Sequence, residues 1–319
     1  MSLSDRPAGV PSSVPSAGIA PLVIAPLVIA PLVLPGRVID RWPVIMGIVN
    51  ASPDSFSDGG DLVGLDAQVQ RSMALVEAGA AIIDVGGESG VTNRGPLQAQ
   101  EEIDRVLPLV RRLVAEGVTV SVDTWKAPVA EAVLDAGAHI LNDVSGLRDP
   151  ALADLCARYG AGLVLMHTRA EPKKKEFPHY QDVVADVVAF LTQRMEEAEA
   201  AGVARERIVV DPGPDFAKTP AQTIETLRRL PEVVALGRPV LLALSRKDFV
   251  GALTLRRPRQ RDAGTLAAIG AALDAGGAIL RVHDVAAVQD YLTVRAALRG
   301  EVPVADDLTL PEHLRREPT

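Results

Sequence analysis

Cysteine is nearly absent: Cys156 is the one thiol in 319 residues. A disulfide framework within the chain is therefore excluded, and a reducing, cytoplasmic compartment is expected. Cys156 lies in the apolar stretch "ALADLCARYG" and reads as a buried structural thiol. A basic excess is also lacking. The formal net charge is -8, from 33 Lys and Arg against 41 Asp and Glu. That balance argues against nucleic acid or a membrane surface as a general partner. An anionic ligand would need a local cluster of cations or backbone N–H groups. No Gly-x-Gly-x-x-Gly follows the first strand-like run, "PVIMGIVN", so the fingerprint of a dinucleotide-binding open sheet is missing. No Ser/His/Asp triad stands out either.

The amino-terminal part is Pro-rich. Residues 1–36 read as a leader, first disordered and then extended, with residues 37–319 as a single domain. "IAPLVIAPLVIAPLVLPG" (Ile19–Gly36) repeats Ala-Pro-Leu-Val-Ile every five residues. It is apolar enough to suggest a membrane span, but its regular prolines would break a helix. It also lacks a charged segment directly before it and a clear cleavage site.

A different repeat follows. "EAGAAIIDVGG", "AEGVTVSVDT", "DAGAHILNDVSG", "YGAGLVLMHT", "AGVARERIVVDPG", "LGRPVLLALS" and "DAGGAILRVHD" share one layout: glycine, a short apolar run, then a polar residue. The glycine suits the left-handed position that ends a helix. The Val/Ile/Leu run suits a parallel strand buried on both faces. Between these runs, stretches such as "QAQEEIDRVLPLVRRLVAEG" place apolar residues at three- and four-residue steps. With "PVIMGIVN", eight strands alternate with helices over about 250 residues, the pattern of an α/β fold of the (β/α)8 barrel type. A doubly wound open sheet is the runner-up.

Active sites in such barrels gather at the carboxyl ends of the strands. The strand-end residues here are Asn50, Asp84, Asp123, Asn142 with Asp143, His167, Asp211, Arg246 with Lys247, and Arg281 with His283. All eight strands deliver a polar group, and the set is expected to converge on one mouth. Asp84, Asp123, Asn142 and Asp211 suit a flat heterocycle presenting N–H and amino donors. Oxygen ligands also suit Mg²⁺, so a metal is the competing reading. Lys247, Arg281 and His283 supply positive charge where barrels often hold phosphate. "NASPDSFSDGG" (Asn50–Gly60) reads as a polar lid, with Asn50 able to hold a phosphate oxygen or a Mg²⁺ ion.

These stretches resemble the dihydropteroate synthase family. The matching segments are "MGIVNASPDSFSDGG", "IIDVGGES", "SVDTWKAPVAEAVLDAGAHILNDVSGL", "LVLMHTR", "IVVDPG", "LSRKDFVGAL" and "TLAAIGAALDAGGAILRVHDV". They run in order, about one per strand. The family joins 6-hydroxymethyl-7,8-dihydropterin pyrophosphate to p-aminobenzoate and releases pyrophosphate. The resemblance implies that Asp84, Asp123, Asn142, Met166, Asp211 and Lys247 hold the pterin. It assigns Asn50, Arg281 and His283 to pyrophosphate, and Thr92, Arg94, Phe216, Lys247 and Asp248 to p-aminobenzoate. Catalysis would rest on Lys247, Arg281, Asp123 and Asp211, with Mg²⁺ at Asn50. A corrinoid-linked pterin methyltransferase domain, or a paralogue that binds pterin without turnover, is the alternative. The family is usually dimeric through its last helices, and "VAAVQDYLTVRAALRG" has apolar spacing for such a face.

Three departures fall on the acceptor side. "ESGVTNRGP" is about two residues longer than the family's Glu-Ser-Thr-Arg-Pro-Gly. "PGPDFAK" places Pro214 and Ala217 in a loop usually richer in glycine. Asp248 follows "SRK", where an acid would oppose a benzoate unless its side chain points away. A reshaped acceptor pocket with weaker sulfonamide binding is the expectation.

Overall fold

In a computed structural model, residues 29–51, 64–88 and 95–316 are described. Ten strands lie among them: β1 (Leu32–Leu34), β2 (Arg37–Ile39), β3 (Val44–Asn50), β4 (Ala80–Gly86), β5 (Val120–Asp123), β6 (Ile140–Asp143), β7 (Gly162–Met166), β8 (Ile208–Asp211), β9 (Leu241–Leu242) and β10 (Ile279–Val282). Strands β3 to β10 form one eight-stranded parallel sheet, ordered β8-β7-β6-β5-β4-β3-β10-β9. A parallel bridge from Val210 to Val240 joins its two ends, so the sheet closes into a TIM barrel. The strand ends fall within a few residues of those expected from the glycine-and-apolar repeat.

The helices around it are α1 (Leu65–Glu77), α2 (Ala99–Ala115), α3 (Ala127–Asp135), α4 (Ala151–Tyr159), α5 (Val183–Ala200), α6 (Pro220–Arg228), α7 (Leu230–Val234), α8 (Asp248–Thr254), α9 (Asp262–Asp274) and α10 (Val285–Leu298). Gly160 shows why the repeat carries glycine. It ends α4 at φ 66°, in the left-handed region, and a Cβ there would lie 2.3 Å from the Arg207 guanidinium.

Two apolar clusters divide the strands. Outward residues such as Val85, Val122, Leu141, Leu165, Val210 and Leu280 pack under the helices. Inward residues Met46, Ile82, Ile140, Val164, Val209, Leu241 and Ile279 fill the barrel with Leu32 and Leu34. The short antiparallel pair β1–β2 thus plugs the amino end. Gly162 leaves room for it, since a Cβ there would meet Leu34 at 2.7 Å. The boundary at residue 36 therefore runs through this hairpin, and the last residues of the apolar repeat belong to the barrel core. Residues 1–28 of the leader lie outside the described residues. Cys156 is buried, and burial followed by Asp143 pushes its thiol up to about 12, so it is inert at neutral pH.

Candidate active site

Strand alternation builds the site. Side chains two apart share a face. Asp84 lies two after inward Ile82, Asn142 two after Ile140, Met166 two after Val164, Asp211 two after Val209, and Arg281 two after Ile279. On these five strands the inward apolar residue is followed on the same face by a group that lines the mouth. Parallel register then sets Asp84 beside Ser121, Asp123 beside Asn142, and Met166 beside Asp211.

Arg281 is the hub. Its Nε donates to Asp84 Oδ2 at 2.6 Å and its Nη2 to Asp123 Oδ2 at 2.8 Å. Asn142 Nδ2 donates to the same Asp84 oxygen at 3.2 Å. Burial opposes the Arg281 charge, but Asp84 and Asp123 hold its pKa above the ordinary value. Asp123 is raised by burial, with Arg281 pulling the other way and the neighbouring Asp84 carboxylate adding to the rise. Burial also raises Asp211 to about 6, although Gly213 N donates to its Oδ1 at 2.7 Å. Two buried oxygens in this layer, Asp84 Oδ1 and Ser121 Oγ, have no hydrogen-bond partner among the described residues. Buried polar atoms of this kind call for a hydrogen-bond partner.

Alternation corrects two of the strand-end residues, and a turn beyond β9 corrects a third. Asp143 faces outward and accepts from Ser145 N and Leu147 N, anchoring a turn. His167 follows inward Met166, so it points out beneath α5, with Phe190 edge-on at 5.0 Å. Arg246 turns to Asp262 at 3.0 Å. His283 does reach the mouth side, but not as a cation. Burial, Arg246 and Arg281 lower its pKa to about 4, and Ser245 Oγ lies 2.9 Å from its Nδ1.

On the loops beyond the strands, Lys247 Nζ sits 4.3 Å from the centre of the Phe216 ring. Burial lowers the Lys247 pKa, while Asp215 and Asp211 oppose that fall. Asp248 is turned away: its carboxylate is 62% exposed and pairs with Arg261 at 3.1 Å and Lys175 at 3.3 Å. Thr92, Arg94 and most of Asn50–Gly60 lie outside the described residues. Asn50 itself ends β3, beside Gly86. Among the described residues no group of three His, Cys, Asp or Glu side chains is placed to hold a metal ion.

Several residues were not singled out by the sequence. Lys126 bridges Glu88 at 2.8 Å and Glu102 at 2.5 Å, and Lys173 joins Glu88 at 3.2 Å. Leu97 N also donates to Glu88, so this cluster ties together the chain on either side of residues 89–94. Glu88 and Lys126 stand inside the motifs "IIDVGGES" and "SVDTWKAP", but nothing local marks them as partners.

The family described as pterin binding enzyme matches residues 46–283, from the middle of β3 to just past β10. The dihydropteroate synthase of Mycobacterium leprae is 45% identical over 266 residues, covering 79% of this chain and 92% of that protein. This chain belongs to the dihydropteroate synthase family. The solved structure of the Xanthomonas albilineans dihydropteroate synthase with 4-aminobenzoic acid is 44% identical, with a TM-score of 0.80, covering 86% of this chain and all of that one. The structure of the same synthase with 7,8-dihydropteroate gives 44% identity and a TM-score of 0.77 over 86% of this chain and 100% of that one. Likeness to dihydropteroate synthases thus extends from the motifs to the whole barrel.

Proposed function

We propose that the chain condenses 6-hydroxymethyl-7,8-dihydropterin pyrophosphate with p-aminobenzoate to give 7,8-dihydropteroate and pyrophosphate. One observation carries this reading beyond family membership. The inward polar layer of Asp84, Asp123, Asn142, Asp211 and Arg281 lies directly on the apolar barrel interior. Such a layer matches a flat ring bearing N–H and amino donors, and the lone Asp84 Oδ1 and Ser121 Oγ fit the same edge. Met166, buried beside Asp211, would supply apolar contact to the ring.

The reaction proceeds by dissociation. The bond from the pterin methylene to the pyrophosphate oxygen breaks, and its electron pair leaves with the pyrophosphate. The amine nitrogen of p-aminobenzoate then attacks the methylene cation, forming the C–N bond and releasing a proton to solvent. Asp123 and Asp211 stabilise the positive pterin. Arg281 and Asn50 hold the pyrophosphate. Neutral His283 contributes as a hydrogen-bond donor from Nε2, with the Ser245 hydroxyl donating to Nδ1. Electrostatic groups of this kind are each worth about 10²–10³ in rate.

Mg²⁺ commonly takes one or two protein oxygens and completes its shell with phosphates and water. The Asn50 amide at the end of β3 fits that single-ligand role. A Mg²⁺ ion there would offset charge on the leaving group. Phe216 and Lys247 would receive the aryl amine, together with Thr92 and Arg94. Asp248 borders this side with its carboxylate committed to Arg261 and Lys175, so it does not repel the benzoate. Pro214 and Ala217 give the pocket its own shape, and weaker sulfonamide binding follows, measurable by calorimetry.

A second copy of the chain is the proposed partner for α10, whose Val294 and Leu298 are exposed. Sedimentation velocity checks that assembly. No described helix is long and apolar enough to cross a membrane. The deciding experiment follows pyrophosphate release from the pterin substrate with and without p-aminobenzoate. Pterin binding with no release in either case would sink the enzyme reading.

A further inference from the structure

Lys218 is a lysine with 1% of its surface exposed, and the reaction scheme above gives it no role. It ends the turn between β8 and α6, two residues after Phe216. Its Nζ lies 2.7 Å from His167 Nδ1, 3.0 Å from Gly213 O, 3.2 Å from Phe216 O and 3.4 Å from His167 O. All four are acceptors. Three of them are backbone carbonyls at or beneath the turn, and an apolar side chain would leave them without this donor. A lysine Nζ carries at most three protons, so these four contacts share them.

His167 extends the tie. Its Nδ1 lies against Lys218 Nζ and its Nε2 is 2.8 Å from Asp186 Oδ2, an arrangement satisfied when Nδ1 accepts from the lysine and Nε2–H donates to the carboxylate. Arg169 holds Asp186 from the far side at 2.6 and 2.9 Å. Burial and then Lys218 lower the His167 pKa to about 3, which suits a neutral acceptor ring. Burial also lowers Lys218 to about 7, against the pull of Asp211 and Asp186. One line of polar contacts therefore runs from α5 through the end of β7 into the β8–α6 turn.

The turn needs such a tie. Asp215 and Ala217 are non-glycine residues at φ 65° and 50°, in the left-handed region. Further bonds hold them there. Asp215 accepts from Thr223 Oγ1 and Phe249 N, both at 3.2 Å, and Tyr180 Oη donates to Ala217 O at 2.9 Å. Gly213 comes close to β7, where a Cβ would lie 2.1 Å from His167 O. Phe216 stands between the two left-handed residues, with its ring against Lys247.

We propose that Lys218 is a positioning residue for the acceptor step: with His167 and Asp186, it fixes the β8–α6 turn so that Phe216 meets Lys247. This rests on the function proposed above and names a residue that acts without touching substrate. Steady-state kinetics of the full chain test it, with each substrate varied in turn, for Lys218→Met and Tyr180→Phe. The expected result for Lys218→Met is a KM for p-aminobenzoate raised about tenfold or more, with kcat and the pterin KM within roughly threefold. Tyr180→Phe removes only the hydroxyl that holds Ala217 O. It should raise the same KM by about two- to fivefold, and it decides the matter if Lys218→Met does not fold. An unchanged p-aminobenzoate KM in the folded variants overturns the proposal, as does a parallel loss of all three parameters. Wild-type protein that makes no dihydropteroate from both substrates overturns the proposed function instead.

Discussion

The residues proposed to hold the pterin sit on strands, whereas those proposed to receive the aryl amine sit on the loops beyond them. Asp84, Asp123, Asn142, Asp211 and Arg281 are aimed by the pleat and register of a parallel barrel. Each lies in register with at least one neighbouring strand, so few extra contacts are needed to hold its side chain. Phe216 and Lys247 have no such ladder. Side chains hold their backbone instead: Lys218 donates to Phe216 O, Arg261 donates to Lys247 O, and Tyr180 donates to the neighbouring Ala217 O. Sheet geometry thus fixes one half of the site. Long-range polar contacts fix the other.

The largest effect that would sharpen this contrast is expected at Arg281. Arg281→Met leaves Asp84 and Asp123 without their shared partner. Loss of the proposed pyrophosphate contact should lower kcat by about 10²–10³. Breaking a buried pair of this type also costs roughly 3–5 kcal/mol of stability, readable by urea unfolding. An enzyme with normal kcat and an unchanged urea midpoint would break the strand half of the comparison.

Asp211→Asn comes next, with loss of pterin affinity and a distinct pH signature. Asp211 titrates at about 6 in the folded chain, above its usual value of 3.8. Between those values the folded state holds a proton that the unfolded state has released. The stability from Asp211 is therefore present below pH 3.8 and lost as pH rises through about 6. Unfolding midpoints of the ligand-free protein across that window should show a falling contribution, which Asp211→Asn removes.

Phe216→Ala acts on the loop half alone. Loss of the ring beneath Lys247 and the acceptor should raise the p-aminobenzoate KM by about 5- to 30-fold, from roughly 1–2 kcal/mol of contact. The pterin KM should stay within about twofold. A larger rise in the pterin KM would show that the two halves are not separable.

The smallest effect belongs to Asp248→Ala. Its carboxylate points to Arg261 and Lys175 near solvent, and exposed pairs are worth about 0–1 kcal/mol. Affinity for p-aminobenzoate should change by less than about twofold, as measured by calorimetry.

The repeat of glycine, apolar run and polar end was enough to place eight strands in order and to bring Asp84, Asp123, Asn142, Asp211 and Arg281 to one mouth. Those assignments are local, because a parallel strand fixes which face each residue takes relative to its neighbours. What the repeat left ambiguous was the phase at each strand end. Asn142 and Asp143 are adjacent polar residues, as are Arg246 and Lys247, and only the barrel decides which of each pair looks inward. His167 carried the same ambiguity, and its neighbour Met166 takes the inward position. Lys218 and the Glu88–Lys126–Lys173 cluster were harder still, since their partners lie on other elements of the chain. Sequence alone determined the fold, the family and the polar layer, because periodicity and strand order are written residue by residue. Tertiary structure alone decided which charges pair, which histidine is neutral and what braces the acceptor loop. Those properties depend on burial and on distances between segments that only folding brings together.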